Sequence, residues 1–131
     1  NYRCGTGHSV SFVGNVHEGP HALNGRNTTL MRPGMIVTDE PGVYETDLVG
    51  IRIENELACV HKADNQYGTF LGFEPIMFVP IATSPIVPGV LTKDELDWLN
   101  NYHRQVFEKL APRLNDEERE WLAKKCAAIG C

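Results

Sequence analysis

The feature that most constrains how this chain can fold is a change in hydrophobic period near residue 91. Before it, apolar and polar residues alternate, as in "GIRIENEL" at 50–57, and a period of two is typical of β-strands. After it, apolar residues recur at intervals of three and four from Leu96 to Leu110, which is typical of an amphipathic helix. The pattern predicts an α+β chain with a β-rich part at 1–90 and a helical part at 91–131. At 131 residues, both parts fit within one compact domain.

The β-rich part contains three runs that we expect to be strands. They lie at residues 34–42, 50–63 and 69–82. In the second run apolar residues alternate with Arg52, Glu54 and Glu56, so these charged side chains are expected to share one face. Pro75 and Pro80 mark the third strand as an edge or as interrupted. The residues before the first run are rich in Gly, His, Asn and Pro and are expected to be loop with one or two short strands.

Two helices are predicted from their capping residues. Thr92 followed three residues later by Glu95 forms a capping box, and Pro112 ends the first helix. The second helix is expected to begin after Asn115 and to end at Gly130. Acidic residues in its first turn and basic residues in its last turn complement the helix dipole.

The composition excludes several classes of partner. The net charge is −5 and no lysine or arginine run is present, so neither a nucleic acid nor an anionic membrane is expected to bind. No stretch of about 18 apolar residues occurs, so no transmembrane helix is expected. The four cysteines lack the spacing of a zinc site and are expected to be free thiols in a reducing compartment. Because the chain opens at Asn1, inside a glycine-rich motif, we expect a fragment of a longer protein.

Histidine and carboxylate side chains supply the candidate metal ligands. These are His8, His17, His21, Glu40, Glu54 and Glu56. Imidazoles and carboxylates without clustered thiolates suit a hard or borderline divalent ion. Glu40 and Glu54 lie near strand ends in apolar surroundings, where a carboxylate is costly unless it is paired or bound to a metal. Spacing alone leaves open that each glutamate is a solvated edge residue and that His17 is a turn residue.

Four ordered motifs make the sequence resemble a known family. They are "CGTGHSV" at 4–10, "NVHEGP" at 15–20, "MIVTDEPGVY" at 35–44 and "GIRIEN" at 50–55. With "FEPIMFVPI" and "LTKDELDWLNNYH" downstream, they closely resemble the C-terminal half of the catalytic domain of aminopeptidase P, an Xaa-Pro aminopeptidase. The resemblance covers residues 1 to about 110. It implies the C-terminal half of a pita-bread (creatinase/aminopeptidase-like) fold, with a curved, mostly antiparallel sheet and C-terminal helices.

The resemblance also implies a dinuclear metal site. His8, Glu40 and Glu54 match the family's metal ligands, with Glu54 at the position that bridges the two divalent ions. Glu40 also matches the general base. Manganese is the expected metal, with zinc or cobalt as alternatives.

Further positions match groups that surround the reacting atoms. His17 matches the histidine that contacts the substrate and stabilises charge on its carbonyl oxygen. Arg52 and Tyr44 match a pair that forms hydrogen bonds around a ligand carboxylate. Glu56 matches no family role and is expected to be exposed to solvent.

The chain departs from the family pattern in two ways. Cys4 stands where the family has a substrate-binding histidine, so Cys4 either contacts substrate or metal differently or is a plain buried thiol. Two aspartate ligands of the family lie upstream, and neither Asp39 nor Asp47 matches them. The isolated chain is therefore expected to be inactive, with its metal site empty or partial.

The resemblance implies a parent enzyme that releases the N-terminal residue before a proline. Its partners would be peptides with proline at the second position, the missing N-terminal half of the domain, and a second copy in a homo-oligomer. A cytoplasmic location is expected. Three alternatives stay open: a prolidase acting on dipeptides, a non-catalytic pita-bread module that binds peptides or proteins, and a β-rich domain whose glutamates match by coincidence.

Overall fold

The computed structural model describes residues 4–130. The described residues form five strands, two α-helices and one short 3-10 helix, Ala111–Arg113. The strands are β1 (Ile36–Asp39), β2 (Gly42–Glu45), β3 (Val49–Arg52), β4 (Asn55–Asn65) and β5 (Gly68–Pro75). The helices are α1 (Lys93–Leu110) and α2 (Asp116–Lys125). The chain divides into two compact units between Met77 and Phe78.

The first unit contains two antiparallel sheets. A three-stranded sheet has the order β1-β4-β5, and β2 and β3 form a separate hairpin. The last registered pair between β1 and β4 is Asp39 with Asn55. Beyond that pair the segments that contain β1 and β4 leave the three-stranded sheet and continue into the hairpin. Glu40 and Glu54 are therefore the first residues past the end of the β1–β4 pairing. We call this point the fork.

The fork corrects two of the expected strands. The run at 34–42 is divided between β1 and β2, and the run at 50–63 is interrupted at Ile53 and Glu54. The physical reason is Pro41, which has no N–H to donate to a ladder, so the pairing of β1 with β4 stops before it. Ile51 and Ile53 are about half exposed, so the apolar face in the upstream part of the second run is not buried.

The other β predictions hold only in part. The third strand ends at Pro75, so 76–82 is not strand. Within the first thirty-four residues, those that the structure describes contribute only two isolated bridges, His8 with Ala22 and Ser9 with Val37, and no strand.

The second unit is built on the two predicted helices. Thr92 accepts a hydrogen bond from the Glu95 N–H and the Glu95 carboxylate accepts one from the Thr92 N–H, which confirms the capping box of α1. Asn115 and Glu118 form the same arrangement at α2. Apolar side chains from both helices form the core of this unit. They are Tyr102, Val106 and Leu122, with Phe78, Ile81, Phe107, Leu110, Leu114 and Cys126 packed against them.

Helix α2 ends at Lys125, so its predicted extension to Gly130 is wrong. The Asn100 side-chain amide donates to the Ile129 carbonyl and accepts from the Ile129 N–H, each at 3.0 Å. This pairing holds the end of the chain beside α1 instead of letting the helix continue.

The cysteines differ in burial. Cys59 is buried, Cys126 is partly buried and Cys4 is exposed, and all three are free thiols. Cys131 lies outside the described residues. In the described part of the chain, no helix combines the length and the apolar character needed to cross a membrane.

Candidate metal centre

The centre of the candidate site is the Glu40 carboxylate at the fork. It is largely buried, with its side chain 13% exposed. The Glu40 N–H donates to the Thr6 carbonyl at 2.8 Å, and Pro41 keeps Glu40 out of the helical conformation. The backbone therefore directs Glu40 away from the hairpin and toward the loop that carries His8.

His8 is fixed against β1 by its backbone. Its carbonyl accepts from the Thr38 N–H at 2.9 Å, and its own N–H donates to the Thr38 hydroxyl at 2.9 Å. Gly7 makes this approach possible, because a Cβ at Gly7 would overlap the Thr38 carbonyl oxygen.

The His8 ring presents its Nε2 atom to Glu40. Nδ1 lies 3.0 Å from the Ser9 carbonyl, which can only accept, so Nδ1 carries a proton and donates. Nε2 lies 3.1 Å from Glu40 Oε1. Two ligand atoms bound to one cation at about 2.0–2.2 Å, at a coordination angle near 90–110°, lie about 3 Å apart. The spacing of these two atoms thus fits neighbouring ligands of one ion.

Arg52 lies between the two glutamates. Its Nη1 atom is 3.4 Å from Glu40 Oε2 and 4.0 Å from Glu54 Oε2. Its Nε–H donates to the Tyr44 hydroxyl at 2.7 Å. The hydrogen bond with Tyr44 is the main reason that the pKa of Arg52 is raised above its ordinary value, with smaller contributions from Glu40 and Glu54. Arg52 therefore stays cationic and compensates both carboxylates.

His17 joins the site through its ring. The His8 and His17 ring centroids lie 3.9 Å apart, with the rings tilted by 46°. Two bonds between Ser9 and Glu18 hold the two ends of the intervening loop together: the Glu18 N–H donates to the Ser9 carbonyl, and the Ser9 hydroxyl donates to the Glu18 carbonyl. The structure thus brings His8, His17 and Glu40 together from three separate parts of the sequence.

Other candidate residues lie apart from this network. His21 Nε2 donates to the Ile36 carbonyl at 2.7 Å, so that nitrogen has no lone pair free for a metal. Glu56 is partly buried, which contradicts its expected exposure: it lies opposite Thr38 in the sheet, and its carbonyl accepts from Ile76. Cys4 is exposed, so the reading of Cys4 as a plain buried thiol is wrong.

The donor atoms fit part of a metal site. Within residues 4–130, no three His, Cys, Asp or Glu side chains are grouped closely enough to hold an ion. His8 and Glu40 form one pair of suitable ligands, whereas Glu54 is separated from them by the Arg52 guanidinium. The assignment of His8, Glu40 and Glu54 to one centre stays a prediction.

Comparison with known proteins finds two family models and several relatives that match this chain. Residues 1–61 match the model of metallopeptidase family M24, and residues 69–129 match the model of the C-terminal region of peptidase M24. Aminopeptidase P2 of Arabidopsis thaliana is 47% identical over 128 residues, covering 92% of this chain and 18% of that protein. A probable Xaa-Pro aminopeptidase P of Coprinopsis cinerea is 42% identical over 136 residues, covering 98% of this chain and 22% of that protein.

A solved structure gives the same result. The X-prolyl aminopeptidase of Caenorhabditis elegans, described as a cytosolic enzyme with a di-nuclear active site, is 39% identical, with a TM-score of 0.82 over 95% of this chain and 21% of that one. The chain therefore belongs to metallopeptidase family M24. Its relatives within that family are aminopeptidase P proteins, and the predicted fold class is confirmed. The chain spans about a fifth of the length of these relatives.

Sequence reasoning missed one member of the network, Thr38. Its hydroxyl donates to Glu40 Oε1 at 2.9 Å and accepts from the His8 N–H. A signal was available: Thr38 and Glu40 are two positions apart at a strand end, and residues two apart lie on the same face of a strand. Unlike a histidine or a carboxylate, a threonine hydroxyl at a strand end does not by itself indicate a site.

Proposed function

We propose that this chain is part of the catalytic domain of a metal-dependent Xaa-Pro aminopeptidase, which releases an N-terminal residue that precedes proline. The observation that carries the proposal is the approach of His8 Nε2 to Glu40 Oε1 at 3.1 Å, beside a cation that compensates two carboxylates. The support from relatives is that they are named aminopeptidase P over nearly the whole length of this chain.

In this proposal His8, Glu40 and Glu54 hold two divalent ions together with two aspartates from the upstream half of the domain. The bound ions supply the Lewis acidity that lets water act as a nucleophile near neutral pH. Manganese is the proposed metal, with zinc or cobalt as alternatives, because imidazole and carboxylate donors suit all three. The parent enzyme is proposed to be cytoplasmic and homo-oligomeric.

The chain's own residues transfer the proton, contact the substrate and orient the metal ligands. Glu40 takes the proton from the attacking water and passes it to the departing amine. His17, with its ring on His8, contacts the substrate carbonyl oxygen as negative charge develops there. Arg52 and Tyr44 keep the carboxylates oriented through their mutual hydrogen bond. Cys4 is exposed at the start of the same segment, which leaves its sulfur accessible to a peptide.

The test compares three proteins: the isolated chain, the full-length parent and a Glu54→Gln parent. The isolated chain is expected not to cleave an Xaa-Pro-Xaa tripeptide, because two of its metal ligands are missing. The parent is expected to cleave it, and Glu54→Gln is expected to lower both bound metal, measured by elemental analysis, and turnover. Glu56→Gln is the control, since it changes the same group two positions further along the chain, inside β4 and outside the network of His8, Glu40 and Arg52.

Adding an Xaa-Pro dipeptide substrate and a peptide-binding measurement to this test separates the alternatives. A parent that cleaves Xaa-Pro dipeptides and not tripeptides is a prolidase. A parent that binds proline peptides without cleaving them is a binding module. Metal content unchanged in Glu54→Gln would mean that the motif glutamates match by coincidence.

A further inference from the structure

We propose that the Thr38 hydroxyl is a positioning group for the reaction, because it selects which oxygen of Glu40 faces His8. The inference rests on the proposed function for its catalytic consequence. Its structural part rests on the hydrogen bonds of Thr38 alone.

The direction of the Thr38 hydroxyl proton follows from its contacts. The His8 N–H points at the hydroxyl oxygen from 2.9 Å, so the oxygen accepts there and its own proton must go elsewhere. Two acceptors are within reach: Glu40 Oε1 at 2.9 Å and the His8 carbonyl at 3.5 Å. The shorter bond goes to a charged acceptor and is the stronger one. Thr38 therefore donates to Glu40.

Burial makes this bond hard to replace. Thr38 is 3% exposed, and Glu40 is largely buried. Without the hydroxyl, the His8 N–H and a largely buried carboxylate oxygen of Glu40 each lose a partner. The Thr38 N–H also donates to the His8 carbonyl, so one residue holds both the backbone of His8 and the carboxylate of Glu40.

The result is a carboxylate with two different ends. Oε1 accepts the hydrogen bond from the Thr38 hydroxyl and faces His8 Nε2 at 3.1 Å. Oε2 faces Arg52 Nη1 at 3.4 Å. With the Thr38 bond removed, the pairing with the Arg52 cation favours rotation of the carboxylate toward Arg52. Glu40 would then present the wrong oxygen to the metal and to the attacking water.

The experiment uses the full-length parent with Thr38→Val, which has nearly the same shape without the hydroxyl, and Thr38→Ser, which keeps it. Removing a group that orients a metal ligand costs about 10- to 100-fold in metal affinity or activity. We expect Thr38→Val to lower kcat by about 10- to 100-fold, with little change in KM. Metal affinity, measured by chelator competition, should fall by a similar factor. Thr38→Ser should recover most of both.

Thr69→Val is the matched control. The Thr69 hydroxyl also donates to a carboxylate, Asp64 at 2.7 Å, but this bond is exposed at the far end of the β4–β5 hairpin. Thr69→Val should leave kcat and metal affinity unchanged. Thr38→Ala, which removes the hydroxyl without added bulk, replaces Thr38→Val if that variant does not fold.

Two results would overturn the role of Thr38. One is unchanged kcat and metal affinity in the variant that lacks the hydroxyl. The other is an equal loss in Thr38→Ser. Chelator competition requires no peptide cleavage, so it tests Thr38 even in a parent that cleaves no proline peptide. Failure of the proposed function is recognised separately, by a parent without Xaa-Pro hydrolysis.

Discussion

Gly7 shows how one residue without a side chain supports the whole site. A Cβ at this position would overlap the Thr38 carbonyl oxygen and crowd Leu23, and both neighbours are fixed by backbone bonds. A methyl group here must therefore push the His8 segment away from β1. Since Thr38 contacts both His8 and Glu40, this displacement would move His8 Nε2 away from Glu40 Oε1.

We predict that Gly7→Ala destabilises the packing of the His8 segment by about 1–3 kcal/mol, the usual cost of overpacking. The measurement is amide hydrogen exchange at Thr38 and Glu40, whose N–H groups bond to this segment. Exchange is expected to accelerate in the variant. Gly5→Ala is the control, because a Cβ at Gly5 meets nothing within 4 Å. Equal protection in both variants would contradict the close-packing argument.

The charged and ring-bearing members of the site could be predicted from the sequence, and their supports could not. Glu40, Arg52 and His17 stand in motifs whose residue types carry the chemistry. Thr38 and the Ser9–Glu18 contact act through hydrogen bonds between segments far apart in sequence. The bond from Thr38 to Glu40 could be anticipated from their two-residue spacing, but the contacts of Thr38 with His8 and of Ser9 with Glu18 leave no local pattern and are seen only in the folded chain.

At the scale of elements, the helices were predicted better than the strands for a physical reason. A helix cap forms between residues three positions apart, so Thr92 with Glu95 and Asn115 with Glu118 can be read directly. A strand ends where its partner strand leaves it, which depends on residues elsewhere in the chain. The interruption at Ile53 and Glu54 reflects Pro41, twelve positions earlier than the first of them.

Helix α1 contains a buried histidine that links stability to pH. His103 is fully buried, and its Nε2 accepts from the Ile81 N–H at 3.1 Å, which requires the neutral ring. Burial lowers the pKa of His103 below its ordinary value. In the unfolded chain the ring takes up a proton near pH 6.5, whereas the folded chain resists it. The unfolded state thus binds more protons below that pH, and stability falls as the pH falls.

We predict that the free energy of unfolding of this unit decreases between about pH 7.5 and about pH 5.5, and that His103→Gln reduces this dependence. Glutamine keeps an acceptor for the Ile81 N–H but has no proton to gain. The measurement is urea unfolding followed by the fluorescence of Trp98, which lies in the same helix. His61→Gln, at an exposed site, is the control. An identical pH dependence in wild type and His103→Gln would exclude the histidine as its source.

At the scale of the whole molecule, the first unit has an exposed sheet edge. In the first unit, β1 is bordered by the segment that contains Thr6 and His8, whereas β5 ends the described sheet with no further strand beside it. Large apolar side chains on β5 are also exposed, among them Phe70, Leu71 and Phe73. An unpaired edge with apolar side chains is a template for pairing with another chain.

We predict that the isolated chain self-associates through β5 at concentrations of about tens of micromolar. Leu71→Lys, which places a charge on that strand, is expected to shift the population toward monomer. Sedimentation velocity measures both. A single monomeric species of the unmodified chain at these concentrations would refute the prediction, and an unchanged distribution in Leu71→Lys would exclude β5 as the interface.

The fork also bears on how the molecule can be altered without losing its chemistry. The hairpin tip is a turn closed by the bond from the Leu48 N–H to the Glu45 carbonyl, with Asp47 in the left-handed conformation that aspartate tolerates. The spacing between Glu40 and Glu54 is fixed at the opposite end, by the pairing of Asp39 with Asn55. Lengthening the tip should therefore leave the positions of Glu40 and Glu54 unchanged. A fluorescent tag or an affinity peptide inserted after Thr46 would give a handle on the protein at the end of the hairpin opposite the two glutamates.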